Sequence, residues 1–225
     1  MKGKIKKEQV IGLILAVLAI ALVCSMEKWF SQGYVVKCVI KVSSFAFAMA
    51  VYTILSKNKF LEVINLHKPE KMWALIGGVA LFFCGIAILF FGLQRFINLE
   101  AIKANLIERE KLTKENCLFA FAYITIFNSF LEEAFFRGFI YHIFTNKKAG
   151  AIVSAFLFSV YHITIFGTWF HPAVFIVAVV GLAIVGGFLQ WLSFRYKTII
   201  ASWIVHASAN VAINIIGALL IFEIL

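Results

Sequence analysis

The chain is built from long apolar runs that alternate with short polar or basic connectors. A helix needs about 20 mostly apolar residues, in a range of roughly 17–25, to cross a bilayer. Such runs occupy residues 10–26, 35–56, 72–93, 116–144 and 198–222. The run 149–194 contains no Asp, Glu, Lys or Arg and has room for two helices, with a natural break at 167–172. The pattern predicts an all-α, polytopic membrane helical bundle of about seven (six to eight) transmembrane helices.

Composition agrees with this interpretation, because 63% of the residues are hydrophobic and only 14% are charged. Soluble domains are roughly 45–50% apolar and about 25% charged. The net charge of +10 does not indicate nucleic acid, since the basic residues cluster at the ends of the apolar runs. Most of the basic residues fall on the same side of the membrane as the N-terminus. Lys37 and Lys41 are counted on the opposite, outer side. The positive-inside rule then predicts a multi-pass cell-membrane protein with a cytoplasmic N-terminus.

Two parts are expected along the chain. Residues 1–115 would contain the N-terminal transmembrane helices and an interfacial connector, and residues 116–225 would form the transmembrane core. The connector, 94–115, has apolar residues at helical spacing, namely Phe96, Leu99, Ile102 and Leu106. It is either an amphipathic helix that lies flat in the membrane interface or a solvated helical loop.

Proline and glycine give further information about the helices. Pro69 and Pro172 both fall in predicted connectors, where helix-breaking residues belong. Gly181, Gly186 and Gly187 fall inside a predicted helix, and small residues allow membrane helices to approach closely. We therefore expect these three glycines to serve helix packing.

The segment 131–138 places two carboxylates and a guanidinium inside an apolar run. Charges at bilayer depth cost several kcal/mol and are rarely kept without a function. Glu133 and Arg137 have i, i+4 spacing and can pair on one helix face. Glu132 lies about 100° away around the helix and lacks such a partner. A buried carboxylate of this kind can act as a general base that activates water. The alternative is an ion-pair lock between helices.

Two histidines in later apolar runs are further candidates. His162 is either catalytic or one partner of an interhelical hydrogen bond. His206 and Asn210 have i, i+4 spacing, so both face the same side of a helix. Two donors directed at one point are what an oxyanion site requires. Asn128 and Ser129, one turn before Glu132, either support the site or hold helices together.

Several other kinds of site are excluded or left open. No HExxH zinc helix, no GxSxG turn, no CxxC pair and no Asp occurs in the chain. A paired-aspartate mechanism is therefore excluded. Glu132, His162 and His206 could form a two-His-one-carboxylate set for a divalent metal such as zinc, if the fold brings them together. The need for a cofactor stays open at this stage.

Three motifs together resemble those of a known family. They are Glu-Glu-x-x-x-Arg at 132–137, Phe-x-x-x-His at 158–162 and His-x-x-x-Asn at 206–210. In order and placement they resemble the motifs of the CPBP family, the intramembrane proteases related to the CAAX prenyl endopeptidase Rce1 and the bacterial Abi proteins. The resemblance covers residues 116–215 and implies that residues 116–225 form a CPBP-type catalytic transmembrane core.

The resemblance implies a role for each motif residue. Glu132 would activate water together with His162, and His206 with Asn210 would stabilise the oxyanion. Glu133 and Arg137 would support the site. Members of the family are often labelled metalloproteases.

The resulting hypothesis is an intramembrane endopeptidase that acts on membrane-embedded or lipidated peptides within the lipid bilayer, with no nucleic-acid partner. One alternative is a non-catalytic membrane protein, such as a bacteriocin self-immunity factor or a regulatory partner. A transporter is another, since buried Glu and His also form proton relays. The physiological substrate and the oligomeric state are not predicted.

Overall fold

The computed structural model describes residues 6–29, 33–57, 64, 66–70, 72–166 and 172–225. Within these residues the regular structure is helical, and no β-strand occurs among them. The helices, in chain order, are α1 (Lys7–Trp29), α2 (Tyr34–Ser56), α3 (Leu75–Leu93), α4 (Leu99–Ala104), α5 (Cys117–Ile143), α6 (Lys147–Phe166), α7 (Pro172–Tyr196) and α8 (Ile199–Ile221). The all-α prediction is confirmed.

Six helices in the described part of the chain are long and apolar enough to cross a membrane, namely α1, α2, α3, α5, α7 and α8. Helix α6 has 20 residues, which corresponds to about 30 Å at 1.5 Å per residue. It packs along α7. The predicted break at 167–172 falls largely on residues 167–171, which lie outside the described residues. Pro172 is the first residue of α7, a position that needs no backbone N–H. The chain is thus a multi-pass membrane protein, as predicted.

Helix α5 is wound irregularly where it carries the charged motif. Two π-helical segments, Ile124–Asn128 and Ala134–Ile140, enclose the α-helical turn Ser129–Glu133. Each π segment widens the helix and changes the direction of the side chains that follow, and such segments are frequent at functional sites. The turn that carries both glutamates is therefore offset from the rest of α5.

Close helix packing surrounds this turn. Phe45 of α2 stacks on Phe135 of α5 with ring centroids 3.7 Å apart. A Cβ atom at Gly186 would lie 3.1 Å from the Cα of Ala155, so α6 and α7 approach closely there. Gly181 and Gly187 have no such neighbour within 4 Å among the described residues. The packing role that the sequence predicts for three glycines thus applies to Gly186.

The connector between α3 and α5 is helical and packs against the end of the bundle. Asn98 caps α4 by accepting a hydrogen bond from the backbone N–H of Ala101, at 2.9 Å. Leu106 packs on an apolar cluster that contains Phe121 and Ile221. Phe96 is exposed, so only part of the predicted apolar stripe faces the protein.

The burial of Lys37 and Lys41 corrects the comparison of basic residues on the two sides of the membrane. Both lie in α2 and are buried, with exposed fractions of 5% and 7%, whereas the count placed them on the outer side. The physical reason is that each lysine pairs with a carboxylate of another element. Lys37 pairs with Glu110 of the connector, and Lys41 pairs with Glu132 of α5.

Candidate active site

Glu133 and Arg137 form the ion pair that their spacing predicts. Oε1 of Glu133 lies 3.3 Å from Nη1 of Arg137, and both side chains are fully buried. Nη2 of Arg137 also donates to the backbone carbonyl of Gly186, at 3.3 Å. The guanidinium lies over the ring of Phe158, 4.2 Å from its centroid. Arg137 therefore links α5 to α6 and α7, and its charge is compensated within the bundle.

Glu132 has a partner that the local sequence does not predict. Its Oε1 accepts hydrogen bonds from Nζ of Lys41 at 2.5 Å, Nδ2 of Asn128 at 3.0 Å and the hydroxyl of Tyr161 at 3.3 Å. Three donors from α2, α5 and α6 thus converge on one carboxylate oxygen. Glu132 has no charged partner at i, i+4 spacing, as the sequence indicated, and Lys41 instead comes from a helix far away in the sequence.

The other oxygen of Glu132 faces two histidines. Oε2 lies 3.7 Å from Nε2 of His162 and 3.6 Å from Nε2 of His206. These separations exceed hydrogen-bond length, and a polar contact of this kind can be bridged by water. The fold therefore brings together one carboxylate oxygen and two imidazole nitrogens from α5, α6 and α8.

The opposite nitrogen of each imidazole ring is also held. Nδ1 of His162 lies 2.8 Å from the carbonyl oxygen of Phe158, and Nδ1 of His206 lies 2.8 Å from Oε1 of Glu133. A carbonyl or carboxylate oxygen in that position accepts a proton from Nδ1–H, so the hydrogen bond selects the tautomer. In a neutral ring this leaves Nε2 as an acceptor that points towards Glu132.

The charges of this cluster balance. Glu132 and Glu133 contribute two negative charges, and Lys41 and Arg137 contribute two positive charges. All four residues are at most 7% exposed. Because a buried charge is costly unless it is paired, the four groups are compatible with a membrane interior only as a set.

Asn210 has a separate contact. Its Nδ2 donates to the backbone carbonyl of Ile124, at 3.3 Å, in the first π segment of α5. One turn later, Nδ2 of Asn214 donates to the carbonyl of Phe121 at 3.1 Å and to the hydroxyl of Thr125 at 3.0 Å. The structure thus brings five of the six predicted site residues into one network and places Asn210 beside it on α8.

The two polar residues before Glu132 have different contacts. Asn128 binds Glu132 directly and also accepts a hydrogen bond from Lys41, so it supports the carboxylate. Ser129 accepts a hydrogen bond from Nε1 of Trp203, at 3.0 Å, which joins α5 to α8. Of the two roles considered for this pair, Asn128 thus belongs to the site and Ser129 holds helices together.

Lys41 is the site residue that sequence reasoning missed. One indication was available, since Lys37 and Lys41 have i, i+4 spacing within an apolar run, and intramembrane lysines usually pair with another buried group. Nothing local to the sequence identifies Glu132 as that group. The two residues are 91 positions apart, and only the packing of α2 on α5 brings them together.

Two observations weigh against a divalent metal on the predicted set of Glu132, His162 and His206. No group of three or more His, Cys, Asp or Glu side chains is arranged to hold a metal ion in the part of the chain that the structure describes. A further physical obstacle is Lys41, whose ammonium lies 2.5 Å from Oε1 of the carboxylate that would bind the metal. That positive charge would repel a second cation on the same carboxylate.

Comparison with known proteins agrees with the motif resemblance. Residues 114–212 match the family described as type II CAAX prenyl endopeptidase Rce1-like. The match contains all three motifs and ends before Asn214, and it does not include α2 with Lys41. No curated protein and no solved structure matches the chain. The chain is therefore a multi-pass membrane protein in which residues 114–212 are similar to the Rce1-like family.

Proposed function

We propose that the protein is an intramembrane endopeptidase in which Glu132 activates a water molecule. The convergence of Oε2 of Glu132 with Nε2 of His162 and Nε2 of His206, at 3.6–3.7 Å, carries the proposal. A small molecule such as water can contact all three atoms. General-base catalysis requires a base within hydrogen-bond reach of the proton that it removes.

In the proposed reaction the water donates one hydrogen bond to Oε2 of Glu132 and the other to Nε2 of His162. Glu132 takes a proton while the water oxygen bonds to the peptide carbonyl carbon, and the carbonyl electron pair moves to its oxygen. The oxyanion electron pair then re-forms the carbonyl double bond as the C–N bond breaks, and the proton held by Glu132 passes to the leaving nitrogen. The products are a carboxylic acid and an amine, so the atoms of one water are fully accounted for.

The oxyanion of the tetrahedral intermediate is assigned to His206 and Asn210. With Nδ1–H held by Glu133, His206 donates through Nε2 only as the doubly protonated ring. Glu133 is already paired with Arg137, so the charge that balances this proton is the developing oxyanion itself. The Asn210 amide has two N–H groups, of which one is needed for the Ile124 carbonyl. Such donors are most effective in a site that excludes bulk water.

The proposed substrates are membrane-embedded or lipidated peptides. The site lies among apolar helices, and His162, at 13%, has the most exposed side chain of the cluster formed with Glu132 and His206. An open apolar groove of about 270 Å³ runs between α5 and α8 beside Thr125 and Asn214. A hydrophobic segment can approach along this surface without leaving the bilayer.

The test compares purified wild type with Glu132→Gln on a panel of prenylated and membrane-embedded peptides, with and without a chelator. Glu132→Gln should abolish cleavage, because an amide cannot take the proton, while the protein stays folded and inserted. Glu110→Gln is the matched control, since Glu110 also pairs with a buried lysine but lies in the connector. Full activity of Glu132→Gln would refute the mechanism. Loss of activity with chelator in wild type would show that a metal takes part.

A further inference from the structure

Lys41 is a buried cation in a helix that lies outside the segment matched to the protease family. Its ammonium contacts Oε1 of Glu132 at 2.5 Å and donates to the side-chain oxygen of Asn128. It also lies 4.9 Å from the ring centroid of Tyr161 and 5.8 Å from that of Phe45. The ammonium is therefore held by one carboxylate, one amide and two aromatic rings.

These contacts give the two oxygens of the Glu132 carboxylate different surroundings. Oε1 accepts from Lys41, Asn128 and Tyr161, and Oε2 faces the two histidines. A carboxylate that was free to rotate about its last bond would exchange the two oxygens. With Oε1 held by three donors, that rotation would break an ion pair and two hydrogen bonds.

We propose that Lys41 is a positioning residue for the catalytic base: it holds Oε1 of Glu132 so that Oε2 is presented to the water and to His162. The proposal rests on the proposed function. It assigns part of the active site to α2, so that the protease domain at 114–212 depends on the N-terminal helices for the orientation of its base. A misplacement of a reacting group by about 1 Å can cost 100-fold in rate.

A purely structural role is the competing explanation, because Lys41 also neutralises a buried carboxylate. The chain contains a matched control for it. Lys37 lies one turn earlier on the same face of α2, is equally buried and pairs with Glu110. Removing either lysine leaves one carboxylate without its cation, but only Lys41 contacts Glu132.

The experiment measures kcat, KM and thermal stability for Lys41→Met and Lys41→Gln, with Lys37→Met and Lys37→Gln as controls and Glu132→Gln as the inactive reference. Lys41→Gln keeps a hydrogen-bond donor and removes the charge, so it is the variant to measure if Lys41→Met fails to insert.

We expect kcat of the Lys41 variants to fall by about 10- to 100-fold with KM changed by less than about threefold. The Lys37 variants should keep wild-type kcat even where their stability falls. Lys41→Arg, which restores a cation, should recover part of the lost kcat.

The outcomes separate this inference from the proposed function. If Glu132→Gln is inactive and a folded Lys41→Gln has wild-type kcat, Lys41 does not position the base, and the protease mechanism stands. Equal losses of kcat in the Lys37 and Lys41 variants would also overturn the inference, because they would trace the loss to general destabilisation. If Glu132→Gln cleaves as fast as wild type, the proposed function fails and the role of Lys41 fails with it.

Discussion

Two glutamates that are adjacent in the chain have different surroundings, and their neighbours account for their different proposed roles. Glu133 is enclosed by Arg137 and the Nδ1 side of His206. Glu132 has one oxygen held by Lys41, Asn128 and Tyr161 and the other directed at two imidazole nitrogens. Of the two glutamates, Glu132 has the oxygen that faces both imidazole nitrogens, and it is the one proposed to receive a proton from water.

At the same scale, Asn210 and Asn214 allow a test of the oxyanion assignment. We expect Asn210→Ala to lower kcat by about 100- to 1000-fold, because it removes a donor that strengthens as the oxyanion forms. Asn214→Ala is the control, since the Asn214 amide joins α8 to α5 through Phe121 and Thr125. It should lower thermal stability and leave kcat close to wild type, and any effect of its place beside the proposed substrate groove should fall on KM. Peptide-cleavage kinetics of both variants check this, and a wild-type kcat for Asn210→Ala would remove Asn210 from the mechanism.

At the scale of the helices, each element supplies one part of the site. Helix α5 supplies both glutamates between two π segments, α6 supplies His162 and Tyr161, and α8 supplies His206. Helix α7 contributes the backbone carbonyl of Gly186 to Arg137. The site geometry thus depends on how closely these helices pack.

Gly186 is a point of close packing between α6 and α7. A Cβ there would lie 3.1 Å from Cα and 3.3 Å from Cβ of Ala155. We expect Gly186→Ala to destabilise the protein by about 1–3 kcal/mol, because the helices must separate. Gly187→Ala is the control, since no described atom lies within 4 Å of its added Cβ. Thermal unfolding in detergent of both variants checks this, and equal stability of the two would contradict the packing argument.

At the scale of the whole molecule, a neutral set of four buried charges sits inside an apolar bundle. Lys41–Glu132 joins the N-terminal helices to the matched domain, while Glu133–Arg137 lies within that domain. One core cluster contains buried residues from both parts, among them Ala16, Phe45, Phe135 and Val205. The two parts predicted to meet at 115/116 therefore share one core and are joined by an ion pair.

The membrane topology gives a prediction for the intact chain. Six apolar helices together with α6, which is long enough to span, predict seven crossings with the two termini on opposite sides. The basic connectors predict a cytoplasmic N-terminus, and the burial of Lys37 and Lys41 removes two charges that were counted on the outer side. Protease protection of terminal tags in sealed vesicles checks this. Both tags on one side would mean that one helix does not cross.

The sequence by itself determined the class of the protein and most of its candidate site. Apolar runs of membrane-spanning length predicted the helices, because a span must satisfy its backbone hydrogen bonds within itself. The i, i+4 spacing predicted the Glu133–Arg137 pair, because that interaction is local to one helix. The three motifs identified Glu132, His162, His206 and Asn210 as candidates.

Only the tertiary structure decided which of these groups meet and which atoms face each other. Periodicity within one helix says nothing about which face of another helix it will contact, so the partner of Glu132 was not predictable. The packing of α2 on α5 brings Lys41 to Oε1, and the packing of α6 and α8 brings two histidines to Oε2. The π segments of α5 were also not predicted, because a wider helical turn leaves no recognisable periodic pattern in an almost uniformly apolar run.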